Sequence, residues 1–139
     1  FQQTRNDLER ALSSEEPWHR YWGAIVCSCF GRTAEPLSAR LQQLAADDPE
    51  PLVRVRAAEF LGLTAQADPR PVIMAALAAS ESPVQANLSL NSVVLLRDGP
   101  PGYDFTVTAE SVHPRARDDQ DVKRRLEYLG AAGSGVGRP

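Results

Sequence analysis

The stretch Asp48-Pro49-Glu50-Pro51-Leu52-Val53-Arg54-Val55-Arg56-Ala57-Ala58-Glu59-Phe60-Leu61-Gly62 is the most legible in the chain. Pro51 suits the first position of a helix, where a missing N–H costs nothing. Val53, Ala57, Phe60 and Leu61 then fall on one helical face. The same opening recurs. Pro17 and Pro83 also lead helix-like runs, so the three starts are 34 and 32 residues apart. A second, shorter helix fits between successive starts. One helix pair cannot hide both of its apolar faces, so a pair repeated at this period predicts a stacked array, an α-solenoid.

The composition is that of an ordinary globular domain. The chain has 139 residues, 24% charged and 42% hydrophobic, enough for one domain with a real core. Fifteen basic against eighteen acidic residues leave a net charge of −3, so there is no basic excess to neutralise phosphates. Nucleic acid and anionic membrane are not expected partners. No apolar run approaches the roughly 18 residues that a membrane span needs. Cys27 and Cys29 are the only cysteines, which excludes a disulfide-rich scaffold. His19 and His113 are too few for most metal-ligand sets. The chain opens Phe1-Gln2-Gln3, and we expect a segment cut from a longer protein.

Outward from Pro51, the sequence divides into five stretches. Residues 1–13 read as the tail of a preceding helix, with Leu8, Ala11 and Leu12 at helical spacing. Residues 14–97 read as the helical repeats. There Ser14 is expected to cap the first helix. Trp18, Trp22, Ile25 and Cys29 form its stripe, which Tyr21 and Val26 widen, and Gly31 its stop. A second helix is expected from about Glu35 to Ala46, a fourth near Asp68-Pro69-Arg70-Pro71, and a fifth from Ser82-Pro83 to about Arg97. Leu88, Val94 and Leu95 mark that fifth helix as the most enclosed. Residues 98–117 read as irregular, with Tyr103, Phe105 and Val107 alternating with polar residues as in an extended strand. Residues 118–130 read as a closing helix, and 131–139, rich in Gly and Ala, as a flexible tail.

The segment Asp48-Pro49-x-Pro51-x-Val53-Arg54-x-Arg56-Ala57-Ala58-x-x-Leu61-Gly62 resembles a HEAT or HEAT-like repeat. The resemblance spans about residues 15–97 and is fainter at Pro17 and Pro83. It implies an all-α solenoid in which acid and arginine link neighbouring repeats. A more specific likeness lies in Arg20-Tyr21-Trp22-Gly23 to Cys27-Ser28-Cys29-Phe30-Gly31, in Pro51 to Gly62, in Ala86-Asn87-Leu88 to Val93-Val94-Leu95-Leu96, and in Pro101-Gly102-Tyr103-Asp104-Phe105. Together these look like the C-terminal region of certain bacterial sulfatases of the alkaline-phosphatase-like superfamily. That resemblance implies a catalytic domain elsewhere in the protein, holding a divalent metal such as calcium. It also implies a periplasmic or secreted location. The formylglycine motif Cys/Ser-x-Pro-x-Arg is not met: Cys27 is followed by Ser28-Cys29-Phe30-Gly31, and Cys29 by Phe30-Gly31-Arg32-Thr33.

No catalytic, cofactor-binding or metal-binding residue is therefore assigned in this segment. Three groups remain as candidates. Trp18, Tyr21 and Trp22 are a candidate interaction surface, because aromatic faces stack on apolar ones. Asp48, with Arg54 or Arg56, is a candidate inter-repeat ladder. Asn87 and Asn91, one turn apart, are a candidate buried polar tie for the 103–107 segment. Cys27 and Cys29 lie about 200° apart around a helix and are read as small helix residues, not a pair. The expected function is a non-catalytic accessory or interaction domain, part of a sulfatase-like hydrolase. Its partner is the parent's catalytic domain or another protein. The alternative is an independent HEAT-repeat scaffold.

Overall fold

The computed structural model describes residues 1–133. Their regular elements are all helical, with no strand among them. They are α1 (Gln2–Leu12), α2 (Pro17–Phe30), α3 (Ser38–Asp47), α4 (Pro51–Leu63), α5 (Arg70–Ala79), α6 (Pro83–Asp98) and α7 (Gln120–Gly133). Short 3-10 turns occupy Gly31–Leu37 and Ala109–Ser111. The chain forms two compact units, Phe1–Ile73 and a second from Met74 onward, with the division inside α5.

The three proline-led starts are real helix starts. Pro17, Pro51 and Pro83 each stand at the first helical position. The cap of α2 is Glu16 in extended conformation, not Ser14. Ser14 lies earlier, where its hydroxyl accepts from the Glu16 N–H at 3.1 Å. At the other end, Gly31 takes φ +58°, a left-handed conformation that side chains with a Cβ resist, and α2 stops there. The helix expected over Glu35–Ala46 is a 3-10 turn through Pro36, followed by α3. Proline lacks the N–H that an α-helical turn would need at that place.

In the first unit α4 is the central element, packed against both α2 and α3. Leu52, Val53, Val55, Ala57, Ala58, Glu59, Phe60, Leu61 and Gly62 are all buried, so the helix is covered nearly all round. Gly62 is required by a close approach: a Cβ there would sit 2.6 Å from Cγ of Pro69. The most enclosed helix is thus α4, not α6. Helix α2 meets α1 at Gly23, where an added Cβ would lie 3.1 Å from Leu12 and 3.2 Å from Ala11. Its buried face is Arg20, Tyr21, Gly23, Ala24 and Cys27. Of the expected stripe, Tyr21 is on the core face, while Trp18, Trp22 and Cys29 are exposed and Ile25 and Val26 half-buried. Small side chains let helix axes approach, so the Gly23–Ala24 flank wins the close contact.

In the second unit α6 packs against α7. The buried face of α6 is Ala86, Ser89, Leu90, Ser92, Val93, Leu96 and Arg97, while Leu95 is exposed and Leu88 and Val94 are half-buried. The Arg97 guanidinium donates to the Leu129 carbonyl at 2.9 Å and lies over the Tyr128 ring. Residues 103–107 alternate as the sequence predicts, with Tyr103, Phe105 and Val107 half-buried and Asp104 and Thr106 exposed. Backbone pairing there is to a helix end: the Tyr103 N–H donates to the Leu96 carbonyl at 2.8 Å. Before α7, Asp119 Oδ1 accepts from the Asp121 and Val122 amides, which starts that helix at Gln120 rather than at 118. Helix α7 runs to Gly133, so residues 131–133, expected in the tail, belong to it. The rest of that tail, 134–139, lies outside the described residues.

Candidate functional site

Helix α2 turns about 100° per residue, so positions 18, 22, 25 and 29 share one flank. With α1 and α4 packed elsewhere on α2, this flank faces outward. Trp18 is 60% exposed and Trp22 is 59% exposed, both far above what a core tryptophan shows. Cys29 is exposed as well, and Ile25 is half-buried.

The two indoles are braced from beneath by Tyr21, which is buried. Trp18 meets the Tyr21 ring at 5.5 Å and 88°, and Trp22 meets it at 5.4 Å and 83°. Both are edge-to-face contacts, the favoured geometry for aromatic quadrupoles. Tyr21 is pinned in turn. The Arg56 guanidinium lies 5.4 Å from its ring centroid and donates to its hydroxyl at 3.2 Å. Arg56 also pairs with the buried Glu59 at 2.8 Å. The candidate surface is therefore two exposed rings on a buried, hydrogen-bonded third.

Asp48 sits in the turn before α4 and is buried. Its carboxylate takes a two-pronged contact from Arg20, Nε to Oδ2 at 2.7 Å and Nη2 to Oδ1 at 3.1 Å. Oδ1 also accepts from the Glu50 N–H at 2.9 Å. The hydrogen bond that Arg20 donates to the Asp48 carboxylate holds the Arg20 pKa above its ordinary value, although burial opposes it. Arg20 was not singled out in the sequence. The expected partners behave differently: Arg54 donates to the Asp48 carbonyl, not to its carboxylate, and Arg56 goes to Glu59 and Tyr21. The signal that finds Arg20 is its distance from the leading proline. Arg20 and Arg54 each stand three residues after their leading proline. Each donates to the carbonyl three residues before that proline, Ser14 for Arg20 at 2.9 Å and Asp48 for Arg54.

Asn87 and Asn91 are half-buried on α6 and help line a recess of about 160 Å³ with Pro83, Val84, Leu88, Asp119 and Asp121. The Asn87 Oδ1 is buried without a hydrogen-bond partner. In the 103–107 segment the Tyr103 N–H donates to the Leu96 carbonyl at 2.8 Å.

Cys27 is buried and Cys29 exposed, on different sides of α2. Burial pushes the Cys27 thiol up to about 11. Thiolate is the reactive form. In the folded chain at pH 8, iodoacetamide should modify Cys29 and leave Cys27 intact; in urea both should react. Mass spectrometry of tryptic peptides reads the result, and equal labelling in the folded state would contradict the burial of Cys27.

Among the described residues, no three His, Cys, Asp or Glu side chains gather as a metal-ligand set. Comparison with protein-family models, curated proteins and solved structures finds no match to this chain.

Proposed function

We propose that this chain is a non-catalytic helical-repeat module, a short α-solenoid of HEAT-like pairs, and the C-terminal part of a sulfatase-like hydrolase. It works by presenting a rigid surface to which the catalytic domain or another protein binds. The observation that carries the binding reading is the braced pair of exposed tryptophans on α2. Solvent-exposed aromatic side chains grouped on one flank mark interaction sites. The repeat reading is supported by the shared register of Arg20 and Arg54 and by the proline-led starts. The sulfatase reading is supported by the sequence likeness alone.

The experiment compares two proteins, the full natural polypeptide and residues 1–139. The first should contain a Cys/Ser-x-Pro-x-Arg domain and hydrolyse an aryl sulfate in the presence of calcium. The second should be inert. A full polypeptide without that motif would remove the sulfatase and favour the independent scaffold, which the same exposed tryptophans also suit.

A further inference from the structure

We propose that Tyr128 is a phosphorylation site and the release point of a latch between α6 and α7. Unmodified, its hydroxyl holds α7 to α6 through Asp98. As the phosphate ester it turns instead to Arg124 and Arg125 of its own helix. The inference goes beyond the accessory reading above and does not depend on it.

The latch is a matter of geometry. The Tyr128 hydroxyl donates to Asp98 Oδ2 at 2.6 Å, across 30 residues of sequence. Asp98 also takes both prongs of Arg97, Nε to Oδ1 at 2.8 Å and Nη2 to Oδ2 at 3.3 Å. Arg97 is buried, with Nη1 donating to the Leu129 carbonyl at 2.9 Å and its guanidinium 5.3 Å from the Tyr128 ring centroid. One carboxylate on α6 therefore serves both a buried cation and a phenol from α7. The bond to Asp98 also raises the pKa of the phenol, which keeps it the proton donor at neutral pH.

Access and a second resting place complete the switch. Tyr128 is 50% exposed, whereas Tyr21 is 5% exposed and Tyr103 half-buried. Of the three tyrosines it is the one an enzyme reaches without unfolding the chain. Arg124 and Arg125 stand four and three residues before it, so they are its neighbours on the helix surface. Both line a recess of about 300 Å³ with Tyr128, Asn87 and Asp121. Arg124 meets Asp121 at only 3.5 Å, between side chains 77% and 69% exposed, a pair of little worth. Arg125 forms no ion pair among the described residues. Guanidinium forks match a phosphate, so a phosphate tethered at position 128 has a seat already in place. In the transfer, ATP is the donor and a tyrosine kinase the catalyst. Tyr128 Oη bonds to the γ-phosphorus, the bond from that phosphorus to the β,γ-bridging oxygen breaks, and ADP leaves. The phenolic proton is lost, and Asp98 Oδ2 is already its acceptor. The ester has no proton to donate to Asp98 and carries about −1.5 to −2 charge at pH 7. Asp98 then repels what it held, and the two arginines attract it.

Residues 1–139 should be incubated with ATP and a broad-specificity tyrosine kinase, and the ester located by mass spectrometry. Phosphate at Tyr128, with Tyr21 untouched, is the expected result. Amide hydrogen exchange in the last turns of α7 should then quicken about tenfold, the worth of a hydrogen bond to a charged group. Tyr128→Phe loses the donor but adds no charge, and should quicken exchange less, about threefold. Phosphorus NMR should place the second ionisation of the ester below that of free phosphotyrosine, about 6. In the double variant Arg124→Gln with Arg125→Gln it should return to that value. A Tyr128 that takes no phosphate overturns the proposal. So does exchange in α7 that esterification leaves unchanged, and so does an ionisation that ignores the double variant. The full natural polypeptide from its own cell should carry the ester at position 128. Its absence there overturns the switch and leaves the accessory reading untouched.

Discussion

Changing Asp48 to alanine is expected to destabilise the fold by about 3–5 kcal/mol, because it strands a buried guanidinium. Arg20 is buried, and Asp48 supplies both oxygens that neutralise it. The carboxylate also holds the Glu50 amide at the entry to α4. Its loss therefore loosens α2 and the start of α4 together. A double variant, Arg20→Met with Asp48→Leu, should recover part of the loss, since no charge is then left buried. It should not recover all of it, because Arg20 also serves the Ser14 and Glu15 carbonyls. Urea unfolding followed by tryptophan fluorescence reports on this unit, as both tryptophans lie in α2. Raising salt should change the wild-type midpoint little, since a buried pair is poorly screened. The pH behaviour follows from the raised pKa of Arg20. Its stabilisation is fully present below the unfolded-state value and fades only as pH rises through the folded one, far above neutrality. A cost below about 1 kcal/mol for Asp48→Ala, the value of a surface pair, would refute the buried bridge.

Phe60→Ala should cost a similar amount, about 3–5 kcal/mol, through a different cause. Phe60 is fully buried in α4, and it is the largest such side chain in the described chain. Truncation removes apolar contact on a helix packed against both α2 and α3 and leaves a cavity that close-packed neighbours cannot fill. Phe60→Leu keeps much of the volume and should cost less. Leu95→Ala provides the control: Leu95 is exposed despite its apolar character, and its loss should stay within about 0.5 kcal/mol. If Leu95→Ala proved as damaging as Phe60→Ala, the outward face assigned to α6 would be wrong. The same urea titration, read by circular dichroism for α6, makes the comparison.

Much of the backbone plan was legible. The prolines at 17, 51 and 83 mark helix starts because a residue without an N–H fits the first helical turn and nowhere later. Gly31 marks a stop because its left-handed conformation suits a residue without a Cβ. The alternation over residues 103–107 also survives in the burial of those side chains, without a strand forming. The candidate site was legible in part. Trp18, Tyr21 and Trp22 do come together, but in two roles, with the tyrosine inside and the tryptophans outside. Asp48 does pair with an arginine, yet that arginine is Arg20, found through its distance from Pro17.

Which flank of each helix is covered came only from the packing. On α2 the tryptophans suggested the core face, and the helix buries the flank of Tyr21, Gly23, Ala24 and Cys27 instead; on α6 the buried leucines are Leu90 and Leu96, not Leu88 and Leu95. Gly23 and Ala24 face inward on α2, and on α6 the small Ala86, Ser89 and Ser92 are buried together with Leu90, Val93 and Leu96. Residue by residue, hydrophobicity favours Trp18 over Gly23. Between helices, what counts is how closely two backbones can approach, and that belongs to the pair. The all-helical character, the helix starts and the stop at Gly31 were therefore written locally in the 139 residues. The inward turn of Tyr21, the Arg20–Asp48 bridge and the two exposed tryptophans depend on neighbours far along the chain, and only the tertiary structure decided them.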